Sequence, residues 1–320
     1  MALVLNGSGI TSANIADGTI TTDDILASDV KNLKSGRKNL IINGDFRVSQ
    51  RGDYTTATSA SDGTYYLDRW KLQVTTVTAT VQDTTLKQKI AATSSGSGNI
   101  EALQTVEDFN ILTNKTITVS AKVTSNSSDA RIVVKTAAGV FHNSTTHTGG
   151  GSEETLSVTF SSGSATVMHV WCGITGASRV SVSITSGDYI EFKEVQLELG
   201  SVATDFEHRS YGEELALCQR YYQKSYGEGE YAADNSGDST VSFIPTGGFY
   251  NVLFPCVMRV VPSIVTYRKN GGATNQAQLD TNGGVYKSLN TASINTKGFA
   301  VSASASSNGY RFHYLADAEL

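Results

Sequence analysis

At 320 residues, with 17% charged residues and only 3 prolines but 30 glycines among long Ser/Thr/Val runs, the chain exceeds one ordinary core and has the balance of turn-rich extended structure. A net charge of -5 excludes a nucleic-acid footprint, which needs clustered Lys and Arg; a pair such as Arg37 and Lys38 falls short of one. Cys172, Cys218 and Cys256 lie too far apart for a disulfide framework or a zinc site, no apolar run approaches about 18 residues, and no signal peptide opens the chain. The expectation is a protein folded in the cytoplasm, without membrane insertion, nucleic-acid partner, metal or cofactor.

In chain order, residues 1–37 come first. Ile10, Ile15, Ile20, Ile25 and Val30 recur every five residues between Gly, Asp, Asn, Ser and Thr. That period fits neither strand nor helix. One inward aliphatic per short turn closes no core within a single chain, so the repeats are expected to pack against copies from other subunits, most simply as a three-fold stalk. A flexible polar leader is the other reading.

Residues 38–209 then read as short β segments separated by turn residues, among them LIINGDFRV, WKLQVTTVTATVQ, KTITVSAKVTS, TVMHVWCGI and YIEFKEVQLELG. About eight such segments suit a jelly-roll β-sandwich, with the first strand (Leu40 to Val48) beside the last (Tyr189 to Leu199). Within the last, Val195, Leu197 and Leu199 alternate with Glu194, Gln196 and Glu198, aliphatics on one face and polar groups on the other. A connecting helix is expected over 210–226. Ser210 with Glu213 forms a capping box, and Leu215, Leu217, Cys218, Tyr221 and Tyr222 make an apolar arc wide enough for two partners. Leu217 and Tyr221 are the candidates for lining a three-fold axis or a seam between domains. After a loose Gly/Asp/Asn/Ser patch at 226–240, residues 227–320 read as a small antiparallel β domain with NGG and TNGG turns at Asn270 and Asn282.

Three stretches resemble tail-fibre proteins of bacterial viruses: NLIINGDFRVSQRG with YYLDRWKL (39–52 and 65–72), EVQLELGSVATDFEHRSYGEELALCQRYYQKSY (194–226) and FPCVMRVVPSI (254–264). The resemblance implies an all-β, homotrimeric virion protein with an N-terminal attachment leader, a carbohydrate-binding-module-like jelly roll, a short helix and a distal domain. It further implies attachment to other tail proteins through the leader and binding to a host-surface glycan without catalysis. Related glycan-binding sandwiches often hold calcium with an acidic residue of the final strand. Phe192, Lys193 and Glu194 stand there in this chain, which argues against such an ion.

Glycan recognition needs flat aromatic faces with polar groups beside them. Trp171 shares strand parity with His169 and Gly173, and with the distal Tyr250, Tyr267, Tyr286 and Tyr310 it makes the candidate receptor-binding set. The tyrosines are expected on Gly-flanked loops. Trp70, beside Leu72, reads as core. His142 and His147 lack a third ligand, and Asp234, Asn235, Gly237 and Asp238 lack the closing glutamate of a calcium loop. Adjacent carboxylates such as Glu153 and Glu154 do not by themselves set the spacing of a glycosidase pair. The function read from the chain is host attachment. A purely structural virion adaptor is the alternative, and a polysaccharide-degrading tailspike is a third class.

Overall fold

The structure is a computed structural model that describes residues 37–84, 86–107, 109–227, 230, 241–243, 249–269, 272–279, 286–303 and 309–319. The isoleucine repeats of the leader, the Asp234–Asp238 loop and the turns at Asn270 and Asn282 lie outside the described residues.

Thirteen strands build the first domain: β1 (Thr58–Ala60), β2 (Tyr65–Leu67), β3 (Trp70–Thr75), β4 (Ala79–Asp83), β5 (Gln88–Ala92), β6 (Gly96–Thr105), β7 (Thr116–Ser125), β8 (Ala130–Ala137), β9 (Val140–Asn143), β10 (Glu153–Ser161), β11 (His169–Ile174), β12 (Val182–Ile184) and β13 (Tyr189–Leu199). They form two antiparallel sheets, one ordered β1-β4-β5-β13-β7-β10 and the other β2-β3-β6-β11-β8-β9 with β12 beside β6. Alternating residues of both sheets close a single sandwich core around the Phe46, Trp70 and Phe192 rings, whose centroids lie 5.3 to 6.0 Å apart. The chain is thus all-β with a jelly-roll-type sandwich, as its turn spacing predicts.

Two local expectations are corrected. Leu40 to Val48 is not a regular strand, because Asn43 (φ 56°) and Phe46 (φ 59°) occupy the left-handed region. Side chains stitch it to β13 instead: Asn39 Nδ2 donates to the Val195 carbonyl (3.0 Å) and Asn39 Oδ1 accepts from Leu197 N–H (3.0 Å). Backbone bonds Leu40 N–H to Leu197 O and Val195 N–H to Gly44 O, each 2.9 Å, complete the seam. A Cβ on Gly44 would sit 2.3 Å from the Val195 carbonyl oxygen, so the approach requires glycine. The alternation in β13 also resets. A bulge between Lys193 and Gln196, with Glu194 at φ 53°, lets Ile190, Phe192, Val195 and Leu197 all face the core. Gln196 and Glu198 are buried rather than solvated, since residues 204–207 fold over them: Glu198 accepts from Thr204 N–H (2.9 Å) and Gln196 Oε1 from Glu207 N–H (2.9 Å). Leu199 is the exposed member of the series.

The helix α1 spans Tyr211–Gln219, shorter than expected, with the Ser210/Glu213 capping box in place. It stops because Tyr222–Lys224 becomes β14, paired with β22 (Tyr310–Asp317). β15 (Val241–Phe243), β17 (Ser263–Arg268) and β18 (Gln276–Leu279) also pair with β22, and β19 (Tyr286–Ser288) extends that sheet beyond β18. A second distal sheet is ordered β16 (Tyr250–Leu253), β21 (Gly298–Ser302), β20 (Asn290–Asn295). Their core gathers Met258, Phe299, Tyr310, Phe312 and Tyr314.

From Asn39 on, the described residues form one compact unit, and charged and aromatic groups hold the sandwich to the distal domain. Glu319 pairs with Arg51 (2.9 Å) and with Arg69, and the guanidinium of Arg69 stacks on Tyr221 (3.5 Å) and that of Arg51 on Tyr222 (3.9 Å). Tyr221 O–H donates to Glu107 (2.5 Å) and the ring is 1% exposed, so Tyr221 belongs to this seam and cannot line an axis between subunits. Leu217 is half-buried on α1.

Candidate ligand-binding face

The outer face of the second sheet is assembled by register. Gln73, Glu101, Gly173 and Arg131 stand side by side across β3, β6, β11 and β8, and the next row is Lys71, Leu103, Trp171 and Val133. A third row sets Thr105, His169 and Lys135 beside Phe141 of β9. Because strand side chains alternate, these residues face away from the sandwich core lined by Leu72, Ala102, Val170, Cys172 and Ile132. Leu103, Val133 and Trp171 form a separate small apolar cluster with Phe141 packed against it.

Trp171 organises the centre. Its indole N–H donates to Gln73 Oε1 (2.6 Å), and the Arg179 guanidinium lies 4.4 Å from its ring centroid. Arg179 also donates from Nε to Glu101 (3.0 and 3.1 Å) and from Nη2 to Glu101 (2.5 Å) and Gln73 (3.2 Å). Four side chains from three strands and a loop thus share one network. The loop is held in an unusual shape: Ser178 (φ 56°) and Arg179 (φ 63°) are both left-handed without being glycine. Asn99 Nδ2 donating to Arg179 O (3.1 Å) and Ser178 N–H donating to Asn143 Oδ1 (2.8 Å) fix it there. Gly173 leaves the space for Glu101, since a Cβ there would meet Glu101 Cγ at 2.6 Å and Ile100 O at 2.5 Å.

Electrostatics follow from burial. Loss of water raises the Glu101 carboxyl above its usual range, and Arg179 pulls it back only in part. Burial, with Lys135, Lys71 and Arg179 nearby, pushes His169 down to about 4, so its ring is neutral at physiological pH and accepts or donates through Nδ1 to Thr105 Oγ1 (2.9 Å).

The structure separates the candidate aromatics. Trp171 lies on this outer face but is only 3% exposed, covered by Arg179 and its neighbours. Tyr310 is 1% exposed within the distal core, because the inward parity of β22 places it with Phe312 and Tyr314, and it presents no surface to a receptor. Tyr267 and Tyr286 stand on strands, not loops: Tyr267 sits opposite His313, and Tyr286, 37% exposed, carries the Arg268 guanidinium at 4.3 Å. Tyr250 is 43% exposed on β16, in the other distal sheet. Trp70 is fully buried. His142 stacks on Phe160 (4.1 Å) and His147 bonds Ser152 O (2.8 Å), so the two rings serve local packing. Among the described residues no group of three His, Cys, Asp or Glu could hold a metal.

Gln73, Glu101 and Arg179 were not singled out by sequence. The parity of Gln73 against Trp70 and Leu72, and a lone glutamate between Ile100 and Ala102, were the available signals. Arg179 comes from a loop whose path no periodicity encodes.

No family model matches the chain, and no curated protein does. Among solved structures it is similar to a family 11 carbohydrate-binding module of a cellulosomal cellulase of Clostridium thermocellum, at 14% identity and TM-score 0.28 over 48% of this chain and 99% of that one. It is likewise similar to a xylan-binding domain from Paenibacillus barcinonensis, at 14% identity and TM-score 0.27 over 49% of this chain and all (100%) of that one.

Proposed function

We propose that the chain is a non-catalytic, glycan-binding attachment subunit of a phage tail fibre. In this reading it is homotrimeric and sits in the virion tail, with residues 1–37 fastening it to other tail proteins. The observation that carries the binding role is the Trp171, Gln73, Glu101 and Arg179 network on the outer face of the second sheet, polar groups fixed in place over a buried indole. Sugar hydroxyls are recognised by oriented hydrogen-bond partners of that kind. The reading without catalysis is supported by Glu101, which is engaged by Arg179, whereas glycoside hydrolysis uses two carboxyl groups at a set separation. The assignment to a tail fibre rests on the three sequence stretches given above.

Purified full-length protein should compete with phage for adsorption to host cells. Trp171→Ala should lower that competition by about tenfold or more, the equivalent of roughly 1.4 kcal/mol, with Trp171→Phe intermediate. Absence of competition by the unaltered protein would refute the function. Full competition by a folded Trp171→Ala protein would move the site elsewhere.

A structural adaptor is the second reading, and one observation favours it. Phe249, Leu253, Val257, Val260 and Val261 are exposed by 40 to 76% within residues 249–261 of the distal domain, apolar surface of the kind that meets another protein. Protein that binds tail components and never cells would select it.

A further inference from the structure

Resting on the glycan reading, we infer that the outer face of the second sheet takes an acidic polysaccharide, a chain of sugars bearing repeated carboxylate or phosphate groups. The whole chain is acidic, at -5, yet this face has the opposite sign. Lys71, Lys135, Arg131 and Arg179 stand on or over it, against the carboxylates of Glu101 and Asp129, and the neutral His169 adds nothing. Among the described residues, four cations against two carboxylates leave it positive. Glu101 is spent on Arg179 (2.5 Å), whereas the nearest approach of Asp129 to Arg131 is a loose 4.0 Å.

The spacing of the lysines sets the kind of anion. Lys71 is on β3 and Lys135 on β8, with β6 and β11 between them. Three inter-strand steps place their backbones about 14 Å apart across the strands, and a two-residue offset along them adds to that. No single small anion spans that distance, whereas a polymer with an acid on successive sugars meets both. Each ammonium is also set beside an aromatic ring, Lys71 Nζ 5.0 Å from the Tyr65 centroid and Lys135 Nζ 5.6 Å from that of Phe141, so a charged contact and an apolar sugar contact occur together at either end. Between them Trp171, Leu103 and Val133 form a buried apolar cluster that supports the face from below, with Phe141 packed against it.

The test is calorimetric titration of the full chain with an oligogalacturonate, with the same oligomer after reduction of its carboxyl groups, and with a phosphorylated oligomannose. Tighter binding of the oligogalacturonate than of the reduced oligomer by about tenfold or more, weakening as salt rises, supports the inference. Preference for the phosphorylated sugar supports it too and makes the anion phosphate. The double variant Lys71→Gln/Lys135→Gln, its folding checked against the unaltered chain by thermal melt, should lose most of that preference while keeping its residual affinity for the reduced oligomer. Equal binding of charged and reduced oligomers, unaffected by the double variant, overturns the acidic-ligand inference and leaves the glycan reading standing. No binding of any oligosaccharide, together with no adsorption to host cells, overturns both.

Discussion

Glu101 has no exposed surface, and its charge is tolerated because Arg179 lies over it in a bidentate pair while Gly173 yields the space beside it. Arg179→Ala would leave that carboxyl without its main donor. The cost should be roughly 1–3 kcal/mol, read as a drop in thermal midpoint, and Glu101→Gln should be milder because it leaves no buried charge. Equal midpoints for both variants and the unaltered chain would show that the network carries no stability. Asp68 gives a pH-dependent counterpart. It is fully buried at the domain seam, where loss of water raises its carboxyl from 3.8 to about 6 despite Arg51 and two donors from Gln50. A carboxyl whose folded value is raised binds its proton more tightly when folded, so its contribution is full below about pH 4 and is lost as pH rises through about 6. The stability of the unaltered chain should therefore fall relative to that of Asp68→Asn by on the order of 2–3 kcal/mol from pH 4 to pH 7. Denaturant titrations at the two pH values check this; a rise relative to Asp68→Asn has the wrong sign.

At the scale of elements, the seam between the opening segment and β13 decides the sandwich's integrity. Asn39 receives N–H groups from Ile41 (2.9 Å) and Leu197 (3.0 Å) and donates to Val195, all buried. Asn39→Ala orphans those groups, each worth about 1–3 kcal/mol, and should destabilise by roughly 3 kcal/mol or more in chemical denaturation. A loss within experimental error would mean the segment is held by its apolar side chains alone. The same seam marks what the sequence made legible. Alternation placed β3, β7, β11 and β13, and the capping box placed the start of α1, because those signals are local. The left-handed turns at Asn43 and Phe46 and the β13 bulge at Glu194 were hidden, since a non-glycine residue with positive φ is imposed by distant partners. Likewise β14 ends α1 by pairing with a strand some 90 residues later, at Asp317 with Tyr222. The apolar arc read as helix is partly strand for that reason.

At the scale of the molecule, the sandwich and distal domain are joined through buried charge. Glu319, 5% exposed at its side chain, bridges Arg51 and Arg69 of the sandwich, whose guanidinia stack on Tyr222 and Tyr221. Breaking a buried ion pair by removing one partner costs about 3–5 kcal/mol. Glu319→Ala should therefore uncouple the domains and split one calorimetric unfolding transition into two. An unchanged single transition would mean that β14 pairing alone couples them. The parity of Trp171 with His169 was legible while the side of the sheet it faces stayed open between core and surface, and the sign of the charge around it was not legible, since Lys71, Lys135 and Arg179 are 64 and 44 positions apart in sequence and meet only through strand order. The measurement that bears most directly on the account is hydrogen–deuterium exchange of the full chain with and without surface polysaccharide purified from host cells. Protection is predicted over residues 99–105, 131–135 and 169–179 and not over the distal sheets; protection confined to residues 249–302, with the sandwich unchanged, would contradict it.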